Sequence, residues 1–267
     1  MEEKNYALVT GASSGIGLAM AKELARAGYP LLLVSNEEEK IAEATVEIGK
    51  TFSVKTIPLY MDLAKTNSAQ AVFDFCEAGG IKIEVLVNNA GIFFFMDICA
   101  TSPERIETVL NLHVFTPTML CRLFAGQMLA ENRKGWILNT ASIAAQMMMP
   151  GITLYNATKS YLRCFSRSMR NEVYGQNISI TTVCPGAVAT GLYGLAPGYM
   201  KLGKALGIIM TPERLARLAL KKMFRKKAEY VPGGFINRLF ILLVNILPQP
   251  FIRYLKRKID LRMKNEL

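Results

Sequence analysis

Short apolar runs alternate with longer amphipathic stretches along most of the chain. Tyr6-Ala7-Leu8-Val9-Thr10 is the first such run, cut off by Gly11. Runs of this length bounded by turn residues read as buried strands. The same pattern predicts strands near 6–10, 31–35, 54–60, 84–88, 136–140, 178–183 and 228–231. Between them, apolar residues recur at helical spacing, as in Leu18, Met20, Ala21, Leu24 and Ala25, which end at Gly28. A glycine directly after the last periodic residue is a helix stop. Helices are predicted over 16–28, 37–50, 67–78, 103–130, 154–174 and 212–226, the last opened by Thr211 as N-cap and Pro212 at the first helical position. Strands that alternate with helices predict an α/β fold, a doubly wound parallel sheet of about seven strands in a single domain. Right-handed crossovers then bring the strand C-termini and the first glycine turn to one edge of the sheet, where ligands gather.

Two groups of residues at that edge carry chemistry. Gly11-Ala12-Ser13-Ser14-Gly15-Ile16-Gly17 stands between the first strand and first helix. Glycines there permit a tight turn and close backbone approach, and the free amides of the helix N-terminus point at a pyrophosphate. The spacing is G-x-x-x-G-x-G, which differs from G-x-G-x-x-G. The second group is Tyr155 and Lys159, with Ser142 upstream. Positions four apart share a helix face, so the ammonium can stand beside the phenol or a ligand the phenol holds. A free phenol ionises near about pH 10, and a neighbouring cation lowers that value. With Ser142 holding a substrate oxygen, Tyr155 could move a proton to or from it, which is acid–base chemistry for a carbonyl/alcohol pair.

Thr10 to Gly17, Asn88-Asn89-Ala90-Gly91, Asn111, Ser142, Tyr155 with Lys159, and Pro185-Gly186 stand in the order of the motifs of the short-chain dehydrogenase/reductase family, which the chain resembles over about residues 5 to 190. The resemblance implies a Rossmann-type sheet, a nicotinamide cofactor, NAD or NADP, and a tetrad of Asn111, Ser142, Tyr155 and Lys159. In that pattern Tyr155 is the proton donor or acceptor and Ser142 orients the carbonyl. Lys159 binds the nicotinamide ribose and lowers the tyrosine pKa, and Asn111 holds a relay water. Cofactor contacts are expected from Gly11, Ser13, Ser14, Gly15, Ile16 and Gly17, and from Ser35 and Asn36 after the second strand. Asp62 and Leu63 are expected at the adenine, although Asp62 also reads as the N-cap of the next helix. Asn89, Ala90 and Gly91 border the adenosine half, with Asn89 either touching the cofactor or tying the sheet. Pro185, Gly186, Val188 and Thr190 are placed at the nicotinamide amide. Ser35 and Asn36 supply neither the acid that would bind the ribose of NAD nor the arginine that would favour NADP. The missing acid leans toward NADP(H), while Glu37-Glu38-Glu39 leans the other way unless it faces solvent.

Composition is that of an ordinary globular chain, 267 residues and 51% hydrophobic. Five scattered cysteines never in C-x-x-C spacing argue against a disulfide framework and a zinc site, and no metal is expected. His113 lacks neighbouring ligands and reads as a core or interface residue. The N-terminus has no basic and apolar leader, so a cytoplasmic location is expected. Charge is uneven: residues 200–267 hold 16 Lys and Arg against 4 Asp and Glu, and residues 1–199 hold 16 against 17. No nucleic-acid-binding motif accompanies it, and no nucleic-acid partner is expected. Residues 1–234 form the expected catalytic domain, with a substrate loop at about 186–212 whose glycines from Gly191 to Gly207 suit a mobile lid. Residues 235–267 are a basic apolar extension. Its first 13 residues are intensely apolar but too few to span a bilayer. The stretch 235–259 reads as a peripheral contact with the inner face of an anionic membrane, as a wall over the substrate pocket, or as an oligomer contact. The runs Phe93 to Met96 and Met147 to Met149 are either core or the lining of a cleft for a lipophilic ketone such as a 3-oxoacyl chain or steroid-like ring. The resemblance implies a homodimer or homotetramer. Alternative readings are NAD-dependent oxidation of a small secondary alcohol, and a non-catalytic cofactor-binding regulator.

Overall fold

The computed structural model describes residues 4–190, 209–248, 250–254 and 256–257. The lid expected within residues 191–208 and the basic tail from 258 onward lie outside them.

Seven parallel strands make one sheet in the order β3-β2-β1-β4-β5-β6-β7. They are β1 (Tyr6–Thr10), β2 (Leu31–Ser35), β3 (Thr56–Tyr60), β4 (Ile83–Asn88), β5 (Gly135–Thr140), β6 (Ile178–Val183) and β7 (Glu229–Tyr230). Helices α1 (Gly15–Arg26), α2 (Glu38–Phe52) and α7 (Pro212–Phe224) go with one face of the sheet, and α3 (Ser68–Ala78), α5 (Thr116–Ala130) and α6 (Thr153–Glu172) with the other. The period of two in each strand sorts the core into two halves. Ala7, Val9, Leu31, Leu33, Trp136 and Leu138 meet α1, α2 and α7, whereas Leu8, Leu32, Val34, Leu86 and Ile137 meet α3 and α5. Pro58 is tolerated because β3 is an edge strand. Thr211 caps α7 by accepting the Arg214 N–H, and Pro212 opens the helix as predicted.

One predicted helix is broken. In place of a continuous helix over 103–130, α4 (Pro103–Leu110) runs into a π-helical turn at Asn111–Phe115 and then into α5. Pro117 lacks the N–H that an α-helix would aim at the His113 carbonyl, and the Thr116 N–H instead reaches back to the Asn111 carbonyl. A further helix, α8 (Gly234–Ile246), follows β7, and residues 250–254 and 256–257 are helical too. Ile241 and Val244 of α8 pack with Ala141, Met147, Cys184 and Val231 beyond the ends of β5 and β6. Helix α8, the first part of the extension, is therefore folded against the C-terminal edge of the sheet.

Among the described glycines, the first turn holds the closest backbone approach. Gly11 has φ +64°, and a Cβ on Gly17 would lie 2.0 Å from the Gly11 carbonyl oxygen and 2.7 Å from the Asn89 amide nitrogen. Backbone cannot step aside as a flexible side chain can. Gly17→Ala is expected to cost about 1–3 kcal/mol, read as a lowered urea midpoint at unchanged slope; a midpoint equal to that of the parent protein would refute this packing account.

Candidate active site

The glycine turn, the loop after β4 and the C-terminal ends of β5 and β6 enclose one long cleft of about 960 Å³. Of the expected cofactor residues, Gly11, Ser13, Ser14, Gly15, Ile16, Ser35, Asn36, Asp62, Leu63, Asn89, Ala90, Gly91, Pro185, Gly186, Val188 and Thr190 line it, together with Ser142, Tyr155 and Lys159. Gly17 and Asn111 do not. Gly17 lets α1 seat on the turn, and Asn111 opens the π-helical turn behind the site.

The turn is held from below by Thr10, which the motif reading passed over as a cofactor-site residue. Its hydroxyl donates to the Val87 carbonyl and accepts the Asn89 and Ala90 N–H groups at 2.9 and 3.1 Å. Asn89 donates its side-chain amide to the Thr10 carbonyl while still bordering the cleft. Structural tying and a place in the cleft thus coexist in that one residue. Asp62 borders the cleft and accepts the Ala64 N–H at 3.0 Å; the next helix begins only at Ser68, with Asn67 in the N-cap position, so the N-cap reading of Asp62 fails on position.

At the far end, Ser35 donates to Ser13, Ser13 donates to Glu37, and Glu37 pairs with Lys40. Lys40 and Ser13 hold the Glu37 carboxyl below the ordinary carboxylate range. Glu37 therefore turns into the cleft and does not face bulk solvent alone. Lys22, Arg26, Lys40 and Lys65 border the cleft as well. Sequence spacing gave no signal for these cations, because α1, α2 and the β3–α3 loop meet only in the folded chain.

At the other end, α6 presents Tyr155 and Lys159 on its buried face. The Lys159 ammonium donates to the Thr140 carbonyl at 3.0 Å and lies 5.7 Å from the Tyr155 ring centroid. Burial brings its pKa down from 10.5 to about 8. Phe93 meets the Tyr155 ring edge to face at 5.1 Å. Ser142 is buried and accepts the Ala144 N–H at the start of a short helical turn. The Phe93 to Met96 and Met147 to Met149 runs stay outside the cleft lining. Met147 packs under α8, Phe94 lies against Arg105, and Met148 is 73% exposed. Among the described residues no His, Cys, Asp and Glu cluster suited to a metal occurs.

The cleft has the shape for a dinucleotide. A Cβ on Gly11 would press on the Ala90 backbone at 2.9 Å, so only bare glycine backbone forms this floor beneath the α1 N-terminus. Comparison with known proteins agrees with that fit. Residues 5–196 match the short chain dehydrogenase family, and the chain belongs to it. It is 32% identical to a very-long-chain 3-oxoacyl-CoA reductase of Anas platyrhynchos, over 95% of this chain and 83% of that one. It is 30% identical to the 17-beta-hydroxysteroid dehydrogenase type 3 of Danio rerio, over 91% and 77%. Among solved structures it is similar to a short-chain dehydrogenase from Sphingobium yanoikuyae in complex with NADPH, with TM-score 0.78, 25% identity, and coverage of 92% of this chain and 97% of that chain. The protein is an NAD(P)-dependent oxidoreductase that acts on CH–OH groups and their ketones.

Lys159 carries a stability consequence. Its folded-state pKa lies below the unfolded one, so the unfolded chain holds more protons between about pH 8 and 10.5. Stability from this group therefore rises with pH across that window, and below it the buried ammonium is a standing penalty. Lys159→Met is expected to raise the stability of the cofactor-free protein at pH 7 by on the order of 2–3 kcal/mol, and to lose that advantage near pH 11. Thermal melts at the two pH values check this; a variant less stable than the parent at pH 7 would show that the ammonium's hydrogen bond outweighs its burial.

Proposed function

We propose that the protein reduces a lipophilic ketone, a 3-oxoacyl chain in first place and a steroid-like ring in second, with NADP(H) as the preferred cofactor. The observation that carries this reading is the placement of Tyr155, Lys159 and Ser142 together at one end of a cleft whose other end is a glycine-floored phosphate cradle. Relatives named for 3-oxoacyl-CoA and 17-beta-hydroxysteroid substrates support the substrate class. Glu37 at the far end would repel the extra phosphate of NADP(H), but it is already paired with Lys40, and Lys22 and Arg26, held by Glu47 and Glu23 at the surface, add two further cations that suit that phosphate.

Nicotinamide, when bound, supplies the hydride to the carbonyl carbon. The chain's own groups handle the oxygen. The Ser142 hydroxyl donates to the carbonyl oxygen and fixes its direction, and the Tyr155 hydroxyl gives that oxygen its proton as the carbon is reduced. Lys159 favours the phenolate left behind, and its ammonium would hold the nicotinamide ribose. Asn111, the first residue of the π-helical turn and outside the cleft lining, is the fourth member by its place in the family's motif order, and would hold a water that returns the proton. In oxidation the same groups run in reverse.

Purified protein supplied with NADPH or NADH and a panel of long-chain 3-oxoacyl-CoA and steroid ketones is expected to oxidise NADPH faster on the acyl substrates. Tyr155→Phe should lower kcat by about 10²–10⁴-fold while the Kd for NADPH stays within about twofold. Absence of turnover on every ketone by the parent protein would favour the cofactor-binding regulator.

A second reading concerns location and is favoured by the outer face of α8. Leu242, Leu243 and Ile246 are 57%, 48% and 65% exposed, and Phe251 and Tyr254 follow beside Arg253 and Arg257. Lys256 pairs with Asp97 and Asn245 donates to the Gln146 carbonyl, so this face flanks the segments that carry Met96 and Met148. Apolar side chains ringed by cations suit an anionic bilayer surface. No helix among the described residues is long and apolar enough to cross a membrane. We place the protein in the cytoplasm and peripherally at the inner face of a membrane, as a homodimer or homotetramer joined through the half-exposed Leu110, Phe115 and Tyr161. Full-length protein is expected to float with phosphatidylserine vesicles, and a Leu242→Glu, Leu243→Glu, Ile246→Glu variant to remain at the bottom of the gradient. Parent protein that also stays at the bottom ends the membrane reading.

A further inference from the structure

His113 takes no part in the chemistry above, yet it is 1% exposed and touches both walls of the reaction centre. It is carried by the π-helical turn, which swings its ring between the loop after β4 and helix α6. Its Nε2 atom accepts the Ile92 N–H at 3.0 Å. Its Nδ1 atom lies 3.1 Å from the Thr158 hydroxyl, and that hydroxyl already donates to the Tyr155 carbonyl at 3.0 Å. A hydroxyl has one proton to give, so here it must accept from Nδ1. One tautomer alone satisfies both ends, the neutral ring with its proton on Nδ1. The ring also meets the Tyr155 ring edge to face at 5.9 Å, and Gly91 leaves it room, since a Cβ there would stand 3.1 Å from Nε2.

We propose that His113 is a positioning residue, a permanently neutral imidazole that ties the Gly91–Ile92 wall of the cleft to the backbone of Tyr155 and so sets where the phenol stands. Lys159 and Tyr155 of α6 are the titratable groups that face it, and the Lys159 charge adds to burial in holding the imidazole well below the ordinary histidine value. A protonated ring would turn an N–H toward the Ile92 N–H and break the tie. The kinetic part of the inference rests on Tyr155 as the proton carrier; the tautomer does not.

His113 is the only histidine in the chain, so ¹⁵N-imidazole labelling of the full-length protein yields one ring spectrum. The expected result is a protonated Nδ1 and a bare Nε2 that persist from pH 8 to pH 5. A proton on Nε2, or a titration midpoint near about 6.5, overturns the proposal whatever the ketone panel shows. The kinetic arm uses the best ketone of that panel. His113→Gln puts an amide oxygen near the Nε2 position and keeps an acceptor for Ile92; it is expected to hold kcat within about threefold. His113→Asn keeps only the donor end, and His113→Leu keeps neither; both should lose about tenfold or more in kcat with the KM for ketone nearly unchanged. Thr158→Val leaves the imidazole in place and removes its acceptor, which keeps the question open to test should a His113 variant fail to fold. It should shift the Nδ1 resonance and lower kcat. A His113→Leu or Thr158→Val protein that melts earlier but turns over at the parent rate would make His113 a packing residue and nothing more.

Discussion

A buried ammonium is the constraint around which the rest of this protein is arranged. Lys159 is 5% exposed, and taking its charge out of water is unfavourable unless the surroundings compensate. Among the described residues, the Thr140 carbonyl at the end of β5 compensates it. That single contact demands that α6 keep its height and rotation against the sheet, and several bonds enforce it. Asn156 donates to the Met149 carbonyl, Ser160 to the Ala145 carbonyl, Arg163 makes a two-pronged pair with Glu229 on β7, and Arg170 reaches the Ile180 carbonyl. The penalty and the function share a cause: the same burial that destabilises the cofactor-free fold gives the ammonium its strength beside a phenol.

Behind the site, a buried polar chain runs across three elements. Asn88 on β4 donates to Asn139 on β5, and Asn139 donates to Ser166 on α6. Apolar residues could fill that volume, but they would slide past one another with little cost. Directional bonds cannot, so this chain sets the register of α6 on β4 and β5. Combined with Thr10 beneath the Asn89 turn, it makes the two ends of the cleft parts of one rigid frame. The π-helical turn completes that frame from the side, since its irregular winding is what lets one helix-borne imidazole reach both Ile92 and Thr158.

Helix α8 has two faces with different work. Ile241 and Val244 close the C-terminal edge of the sheet next to Ser142, while Leu242, Leu243 and Ile246 point outward. Membrane contact, pocket wall and oligomer contact were the three readings of this apolar run. The helical period puts Ile241 and Val244, three residues apart, on the buried face and turns Leu242, Leu243 and Ile246 outward, and none of the five lines the cleft.

Much of this was legible along the chain. Seven strands, the glycine turn and the helices that flank the sheet follow from local pattern, since burial of a strand and backbone approach at a turn are recorded in a few adjacent residues; most of the other residues bordering the cleft were expected from the order of motifs shared with the family. Pro117 was a visible mark of the break at Asn111 that the apolar periodicity of 103–130 concealed. Other features have no local signature. The place of Glu37 at the far end of the cleft, the inward seat of Met147, and the roles of Thr10 and His113 depend on distant partners, 24 residues away from Glu37 to Ser13, 21 from His113 to Ile92 and 79 from Thr10 to Asn89. A sequence determines which groups are available and what backbone shapes they permit; which of them meet, and which charge loses its water, is decided only when the sheet brings distant strands together.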